Sequence, residues 1–267
     1  MKLAVFSDIH GNLVALEACL ADLESVGEVD LIWCLGDIAA FGPRPSECVA
    51  RVRDLREAHG KEKFHVIGGN TDRYLVTGER FKIRPKEDAD GLAGFAEELQ
   101  RRDAILNWNV AQLSWEDYEF LNKILGRETA VPVKGFGWVI GYHAIPGDDE
   151  AMLRPDTPDE QAADALLDRE GRLAIGGHIH VQMDRQVENW RIINVGSVGF
   201  SFDMPGKAQW ALFTFEDNGE ENGKQEISVT VDMRSVDYDV EAAITDATTT
   251  GHPDPAHLER TLRQQAG

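Results

Sequence analysis

Short apolar runs alternate with helical patterns through the first seventy residues of the chain. The runs cover residues 3–7, 31–35 and 64–67, and helical apolar spacing fills about 12–25 and 45–58 between them. This alternation is typical of a βαβαβ unit, in which buried parallel strands lie side by side beneath their connecting helices. We therefore predict an α/β fold that begins with a largely parallel sheet.

The following segment, residues 74–128, changes from strand patterns to helical spacing. Ser114 is followed by two acids and then by apolar residues at helical intervals, which is a capping-type start. We predict that 74–128 is a helical insertion and a candidate cap over the sheet rather than a separate domain.

The second half of the chain is predicted to add an antiparallel or mixed sheet. Its predicted strands are residues 138–142, 173–175, 191–195, 208–215 and 226–234, and its predicted helices are 157–169 and 256–265. Asn218-Gly219 and Asn222-Gly223 are turn signals between the last two strands. The polar stretch 245–255 is predicted to be a loop. We predict one domain over 1–267, with 236–267 as a C-terminal extension.

Five of the apolar runs end in residues that can bind a metal ion. The segments that follow them are Asp8-Ile9-His10, Gly36-Asp37, Gly69-Asn70-Thr71-Asp72, Gly141-Tyr142-His143 and Gly177-His178-Ile179-His180. Because the carboxyl ends of strands share one edge of an open α/β sheet, these distant residues can converge. Glycine precedes the ligand-type residue in four segments, where it would let the backbone turn sharply and approach an ion closely.

The residue types in these segments favour a transition metal. Imidazoles mixed with carboxylates and an amide suit Mn, Fe, Ni or Zn rather than Ca or Mg alone. In Asp8-x-His10 and His178-x-His180 the two side chains lie on one side of an extended segment, so each pair can grip one ion. A single histidine more often has a core or surface role. Four of the eight histidines fall in these segments, and that joint pattern predicts a metal centre.

Together, in this order, the five segments closely resemble the signature of the calcineurin-like metallophosphoesterase superfamily. The resemblance extends from the first strand to about Gly199. Residues 7–18, Ser-Asp-Ile-His-Gly-Asn-Leu-Val-Ala-Leu-Glu-Ala, resemble the small prokaryotic branch of that superfamily. Residues 194–199 resemble its closing segment, with Val195 where the branch has proline.

The resemblance implies a fold of the α/β (α+β) class: a four-layer αββα sandwich of two mixed sheets flanked by helices. It implies a two-metal site at one sheet edge, occupied by two divalent transition-metal ions (Mn, Fe, Ni or Zn). By the same resemblance, one ion is held by Asp8, His10 and His180, the other by Asn70, His143 and His178, and Asp37 lies between both. A carboxylate suits that place because its two oxygens can span ions about 3.5–4 Å apart.

The activity implied is hydrolysis of a small phosphorylated substrate by a metal-bridging hydroxide that attacks phosphorus in line. The substrate is a phosphodiester, a phosphomonoester or a nucleotide anhydride. The resemblance places Asp37, Asn70 and Asp72 in the catalytic group. Asn12, Thr71 and Arg73 lie beside the motifs and are candidate phosphate contacts.

Thr71 departs from the family pattern. Many members have histidine after the motif asparagine, backed by the following acid, and that pair serves the leaving oxygen. A threonine hydroxyl can donate a hydrogen bond, but it is not an acid of near-neutral pKa. We therefore hypothesise a preference for good leaving groups, such as phosphoanhydrides or aryl esters. Asp72 then pairs with Arg73, caps the next segment or keeps a catalytic role.

Charge and composition exclude other classes of function. With 27 basic and 47 acidic residues the formal net charge is −20, which argues against binding of a nucleic-acid duplex or an anionic membrane surface. No apolar window is long enough to span a membrane, and the N-terminus does not resemble a signal peptide. The three cysteines lack metal-type spacing and predict a reducing compartment, so we expect a cytoplasmic protein.

Two alternatives remain open at this stage, and the sequence does not indicate an oligomeric state. A Ser/Thr protein phosphatase would show Gly-Asp-x-Val-Asp-Arg-Gly at the second motif, whereas residues 36–42 are Gly-Asp-Ile-Ala-Ala-Phe-Gly. A non-catalytic interaction scaffold of the same fold is expected to have lost ligands, whereas all seven ligand positions here carry usable side chains.

Overall fold

Two five-stranded mixed sheets form the centre of the protein in this computed structural model, which describes residues 1–81, 89–221 and 224–263. The strands are β1 (Lys2–Phe6), β2 (Leu31–Cys34), β3 (Phe64–Val66), β4 (Thr129–Val133), β5 (Gly137–Gly141), β6 (Leu173–Gly176), β7 (Gln182–Val187), β8 (Trp190–Val195), β9 (Lys207–Glu221) and β10 (Lys224–Asp237). The helices are α1 (Leu13–Ser25), α2 (Pro45–His59), α3 (Asn70–Thr77), α4 (Ala89–Gln112), α5 (Trp115–Ile124), α6 (Asp159–Asp164), α7 (Val240–Thr249) and α8 (Pro255–Arg263).

Each sheet combines three neighbouring parallel strands with two strands added by antiparallel pairing. The first sheet has the order β10-β9-β1-β2-β3, in which β1, β2 and β3 are parallel and β9 runs antiparallel to β1. The second has the order β4-β5-β6-β8-β7, in which β5, β6 and β8 are parallel. The parallel βαβαβ start is therefore confirmed, and the sheets are open rather than closed into a barrel.

Side chains that point alternately to the two faces of the central strands explain why the helices and sheets form layers. In β1, Leu3 and Val5 pack between the two sheets, whereas Ala4 and Phe6 face the helices on the outer side, because successive side chains of a strand point to opposite faces. On the far side of the second sheet, Ala162 of α6 packs in a third cluster against that sheet. This arrangement confirms the αββα sandwich of two mixed sheets flanked by helices.

Several elements differ from the sequence-based predictions. The helix expected over 157–169 is α6 alone, because hydrogen bonds from Leu166 to Ala163 and from Leu167 to Asp164 tighten the chain into turns. The edge strands β4 and β7 were not predicted. The pair Asn218-Gly219 lies within β9 rather than in a turn. The pair Asn222-Gly223 lies outside the described residues. The same is true of 82–88 in the predicted insertion and of 264–265, the last two residues of the predicted helix 256–265.

The stretch predicted as a loop at 245–255 contains the second half of a helix. Helix α7 is capped by Asp239, whose side chain accepts a hydrogen bond from the Ala242 N–H at 2.9 Å. Its fully buried residues, Ala243 and Ala247, are small, and beyond Ile244 the helix has no large apolar residue, so its second half carries little apolar signal. In the part of the chain that the structure describes, no helix combines the length and apolar character needed to cross a membrane.

Candidate metal centre

The predicted ligands come together where the two sheets meet. Asp8 and His10 follow β1, Asp37 follows β2, Asn70 begins α3, His143 follows β5, and His178 and His180 follow β6. Ligand atoms lie within 4.8 Å of one another in each of two clusters, which are Asp8, His10 and His180, and Asp37, His143 and His178. The structure thus has two candidate metal-binding clusters, and each takes residues from both sheets. His178 and His180 fall in different clusters, so the prediction that this pair grips one ion is wrong, because both residues have a positive φ and the segment is not extended.

Asp37 and Asn70 complete this arrangement. Asp37 Oδ2 lies 3.6 Å from His10 Nε2 in the first cluster and 3.5 Å from His143 Nε2 in the second. Asn70 Oδ1 lies 3.1 Å from His143 Nε2, so its amide joins the second cluster. The Asp37 carboxylate therefore stands between the two clusters, where its oxygens are within reach of both.

The histidines are oriented by the backbone. In three of them Nδ1 lies at hydrogen-bond distance from a carbonyl oxygen: His10 with Ala40 at 3.0 Å, His143 with Leu35 at 2.8 Å, and His180 with Phe200 at 2.8 Å. A carbonyl only accepts, so Nδ1 carries a proton, and Nε2 is the atom that faces the site and can bind a cation when the ring is neutral. His178 is reversed: its Nε2 donates to the Glu150 carbonyl at 3.2 Å, leaving Nδ1 free.

The first cluster leaves lone pairs facing one another. The Nε2 atoms of His10 and His180 are 3.0 Å apart. Asp8 Oδ1 is fully buried and meets no hydroxyl or amide donor among the described residues; its polar neighbours are these two Nε2 atoms, at 3.7 and 3.2 Å. Such a set of acceptors is repulsive unless a proton or a metal cation lies between them. The residues therefore fit a divalent metal ion, and nitrogen with carboxylate ligands fits a transition metal.

Burial and neighbouring charges shift the pKa values of the acidic and basic side chains at the site. Burial alone would raise the pKa of Asp37, but the charge and hydrogen bond of His143 outweigh it and hold the pKa below its usual range. Burial alone would lower the pKa of His143, yet the charge of Asp37 raises it to about 10. Burial and the charge of His143 lower the pKa of His178 to about 4. The carboxylates are thus ionised inside the protein beside positive charge, which a protonated His143 or a bound cation can supply.

The ligand residues themselves make the sharp turns. Positive φ angles occur at Asp8 (59°), His10 (51°), Asp37 (54°), His178 (71°) and His180 (57°). Residues other than glycine rarely adopt this conformation, and such strain collects at functional sites. Of the four glycines expected to turn the backbone, only Gly36 has a positive φ, 99°.

The other three glycines provide space instead of a turn. A Cβ on Gly177 would lie 2.4 Å from Asp8 Oδ2, and one on Gly69 would lie 2.2 Å from Asp37 Oδ1. A Cβ on Gly141 would lie 2.7 Å from Cγ2 of Thr129. The prediction of a sharp turn at each glycine is therefore wrong for these three. At each of them a neighbouring side chain packs so closely against the backbone that a Cβ would not fit.

Asp72 and Thr71 support Asp37 from helix α3. Both oxygens of Asp72 accept main-chain hydrogen bonds, Oδ1 from Ile38 at 2.9 Å and Oδ2 from Gly69 at 3.1 Å, so Asp72 caps the helix. Burial and the charge of Asp37 raise the pKa of Asp72 to about 6. The Thr71 N–H donates to Asp37 Oδ1 at 2.9 Å. Thr71 Oγ1 is buried and without a partner among the described residues.

The remaining predicted residues have structural partners. Asn12 caps α1 by accepting from Ala15 N at 3.1 Å, and its Nδ2 donates to the Gly199 carbonyl. Arg73 is held by three carboxylates, those of Asp149, Glu150 and Glu79. Thr71 and Asn70 line the cavity over the clusters, whereas neither Asn12 nor Arg73 is among its lining residues.

The cavity over the clusters contains residues that sequence reasoning missed. It has a volume of about 310 Å³, within the range of small-ligand pockets. Its floor includes His10, Asp37 and His180, and its walls include phenylalanines from three loops together with residues of α4 and α8. The sequence carries no signal for this, because α4 and α8 are far apart along the chain.

Comparison with known proteins agrees with the geometry. The family model described as the calcineurin-like phosphoesterase superfamily domain matches residues 1–218. An uncharacterized protein of Methanocaldococcus jannaschii is 31% identical over 257 residues, covering 90% of this chain and 89% of that protein. A symmetrical bis(5'-nucleosyl)-tetraphosphatase of Pectobacterium carotovorum is 30% identical over 110 residues, covering 40% of this chain and 36% of that enzyme.

Two solved structures are similar to this chain over nearly its full length. A metallophosphoesterase from Sphaerobacter thermophilus has a TM-score of 0.67 at 25% identity and covers 98% of both chains. A hypothetical protein from Pyrococcus horikoshii has a TM-score of 0.73 at 20% identity, over 98% of this chain and 97% of that one, and shows the shared fold. With the family model matched over residues 1–218, this chain belongs to the calcineurin-like phosphoesterase superfamily.

Proposed function

We propose that the protein is a metal-dependent hydrolase of a small phosphorylated substrate, either a phosphoester or a nucleotide anhydride. The observation that carries the proposal is the pair of ligand clusters, with Asp37 between them, beneath a single cavity. Membership of a phosphoesterase superfamily supports it. We assign Asp8, His10 and His180 to one ion and Asn70, His143 and His178 to the other, with Asp37 shared.

Two divalent cations bound there would supply Lewis-acid polarisation of the phosphoryl group and a water of lowered pKa. The chain's own residues orient these partners. The carbonyls of Ala40, Leu35 and Phe200 hold the three imidazoles with Nε2 toward the site. The Thr71 N–H fixes one oxygen of Asp37 and leaves Oδ2 for the clusters. We assign Thr71 Oγ1, which lines the cavity, as a hydrogen-bond donor to substrate.

Metal analysis combined with an ester assay tests this proposal. We expect two Mn or Ni ions per chain and metal-dependent cleavage of bis(p-nitrophenyl) phosphate, p-nitrophenyl phosphate or a nucleotide anhydride, abolished by chelation. A screen with phosphopeptides would detect a protein-phosphatase activity instead. A chain that binds two ions yet cleaves none of these compounds would be the interaction scaffold, and the enzyme proposal would be wrong.

Thr71→His is expected to shift activity toward poor leaving groups. An imidazole in this position can give a proton to an alkoxide, which a hydroxyl of high pKa cannot, and general acid catalysis contributes about 10²–10⁴-fold. We expect the ratio of kcat/KM for glycerol phosphate to that for p-nitrophenyl phosphate to rise at least about tenfold. Thr71→Val, which has the shape of threonine without its hydroxyl, is the matched control and should leave the ratio unchanged. An unchanged ratio in a metal-loaded Thr71→His protein would contradict the leaving-group hypothesis.

A further inference from the structure

Helix α4 presents an arginine to the cavity over the metal clusters. The Arg102 guanidinium carbon lies 5.4 Å from the ring centroid of Phe81 and 5.9 Å from that of Phe41. Both phenylalanines line the same cavity as Arg102. Contacts of this kind orient a guanidinium while leaving its N–H donors available.

Arg102 differs from its neighbours in having no acidic partner within the part of the chain that the structure describes. Among the described residues it forms no ion pair, whereas on the same helix Arg101 pairs with Glu98 and Asp103 pairs with Arg80. Glu98, the acidic side chain on this wall of the cavity, is thus already neutralised by Arg101. In a chain of net charge −20 an oriented arginine without a carboxylate partner, facing a cavity, is suited to an anionic ligand.

The side chain of Phe41 lies between Arg102 and the first metal cluster. The Phe41 ring centroid lies 6.0 Å from that of His10 and 5.9 Å from the guanidinium carbon of Arg102. Phe41 therefore joins the cationic wall to the floor of the site. Arg102 and His10 therefore lie against the same ring, so that one extended ligand can meet both the cationic wall and the floor of the site.

A second wall of the cavity is apolar and exposed. Phe202 is 56% exposed although its ring stacks on His180, with centroids 4.7 Å apart. Met152, which also lines the cavity, is 44% exposed. Large apolar side chains left open beside a polar site indicate a ligand with an apolar surface, and an aromatic ring stacks well on a planar group such as a nucleobase.

We propose that this cavity selects nucleotides with at least two phosphoryl groups: the reacting group lies over the clusters, a neighbouring one binds Arg102, and the base packs against Phe202. This inference rests on the proposed function and names its substrate class. In the reaction the water oxygen joins one phosphorus, the P–O–P bond breaks, and the bridging oxygen stays on the other phosphoryl group, with release of a proton.

Binding measured apart from turnover tests the inference. The probe is α,β-methylene-ADP, whose bridging carbon resists hydrolysis. Its partner without the second phosphoryl group is AMP with a methylene group in place of the 5′ ester oxygen, called AMP below, and both are titrated calorimetrically into the Mn²⁺-loaded protein. We expect the wild type to bind the ADP analogue about tenfold or more tightly than AMP, because hydrogen bonds to charged groups are the stronger ones. Arg102→Met, which keeps an apolar stem against the rings, should lose this preference and leave AMP binding unchanged.

The control removes the same charge elsewhere. Arg51→Met on α2, where the arginine pairs with Glu17 outside the cavity, should keep the preference for the ADP analogue. Phe202→Ala should weaken binding of both nucleotides about ten- to a hundredfold and leave binding of methylenediphosphonate, which has no base and no P–O–P bond, unchanged. An ADP analogue that binds Arg102→Met as tightly as wild type would overturn the inference.

Hydrolysis of bis(p-nitrophenyl) phosphate separates this inference from the proposed function. If the wild type cleaves that diester but Arg102→Met keeps full affinity for the ADP analogue, the substrate class is wrong and the hydrolase proposal stands. If nucleotides bind in an Arg102-dependent way and no ester or anhydride is cleaved, the binding site stands and the hydrolase proposal is wrong.

Discussion

Replacing Asp37 by asparagine is expected to lower kcat by roughly a thousandfold, since a shared carboxylate contributes several kcal/mol of charge stabilisation and each 1.4 kcal/mol is a factor of ten. Asparagine retains an oxygen that can accept the Thr71 N–H at 2.9 Å. It loses the second anionic oxygen, which lies 3.5–3.6 Å from the imidazoles of both clusters. The substitution therefore removes the connection between the clusters with little change in shape.

Metal content and thermal stability distinguish this effect from unfolding. We expect an unchanged far-UV circular dichroism spectrum, fewer bound ions, and a smaller rise in Tm when Mn²⁺ is added, because ligand binding stabilises the folded state in proportion to its affinity. Asp237→Asn makes the same chemical change at a side chain that is 87% exposed and paired with Lys207, and should match the wild type in all three measurements. Wild-type kcat with two bound ions in Asp37→Asn would show that Asp37 is not a shared ligand.

Gly69→Ala is expected to weaken metal binding and activity by about a hundredfold or more. The added Cβ would lie 2.2 Å from Asp37 Oδ1 and 2.6 Å from His143 Cε1. Gly69 has a φ of −99°, which alanine adopts freely, so the backbone has no reason to change. The clash falls on two predicted ligands, and displacing even residues that only orient ligands costs 10–100-fold in metal affinity or activity.

The matched control for Gly69→Ala is a glycine with free space around it. Gly94 lies within α4, and a Cβ there would meet nothing within 4 Å. Gly94→Ala should preserve metal affinity and raise stability by up to about 1 kcal/mol, the difference in helix propensity. Calorimetric titration with Mn²⁺ and the diester assay measure both variants. A Gly69→Ala protein with normal metal affinity would mean that Asp37 and His143 do not act as ligands in their present positions.

The sequence allowed the centre of the fold and the candidate ligands to be predicted together, for one physical reason. Strands β1, β2, β5 and β6 are buried, so they appear as continuous apolar runs, and the chain becomes polar where each one reaches the sheet edge. Strand β7, with the sequence QMDRQV, lies at an edge of its sheet and is only partly buried. Its residues carry too little apolar signal for prediction.

The roles of individual side chains at the site were less accessible. Asp72 was left open between a cap, an ion pair with Arg73 and a catalytic role, and the structure shows its two oxygens capping main-chain N–H groups. Arg73 was expected near phosphate, yet Asp149 and Glu150, more than seventy residues later, hold its guanidinium. Such choices depend on which distant carboxylate comes near, and residue type and local spacing do not encode that.

The origin of the ligands in both sheets has a mechanical consequence. Asp8 and His10 belong to the first sheet and His180 to the second, so an ion in their cluster would bind the two halves of the sandwich to each other. Sliding or parting the sheets would then require breaking coordination bonds, so metal binding would stabilise the sandwich against unfolding. The cations would cross-link the two sheets, and the resistance of the whole domain to heat or force would depend on the concentration of free metal ion.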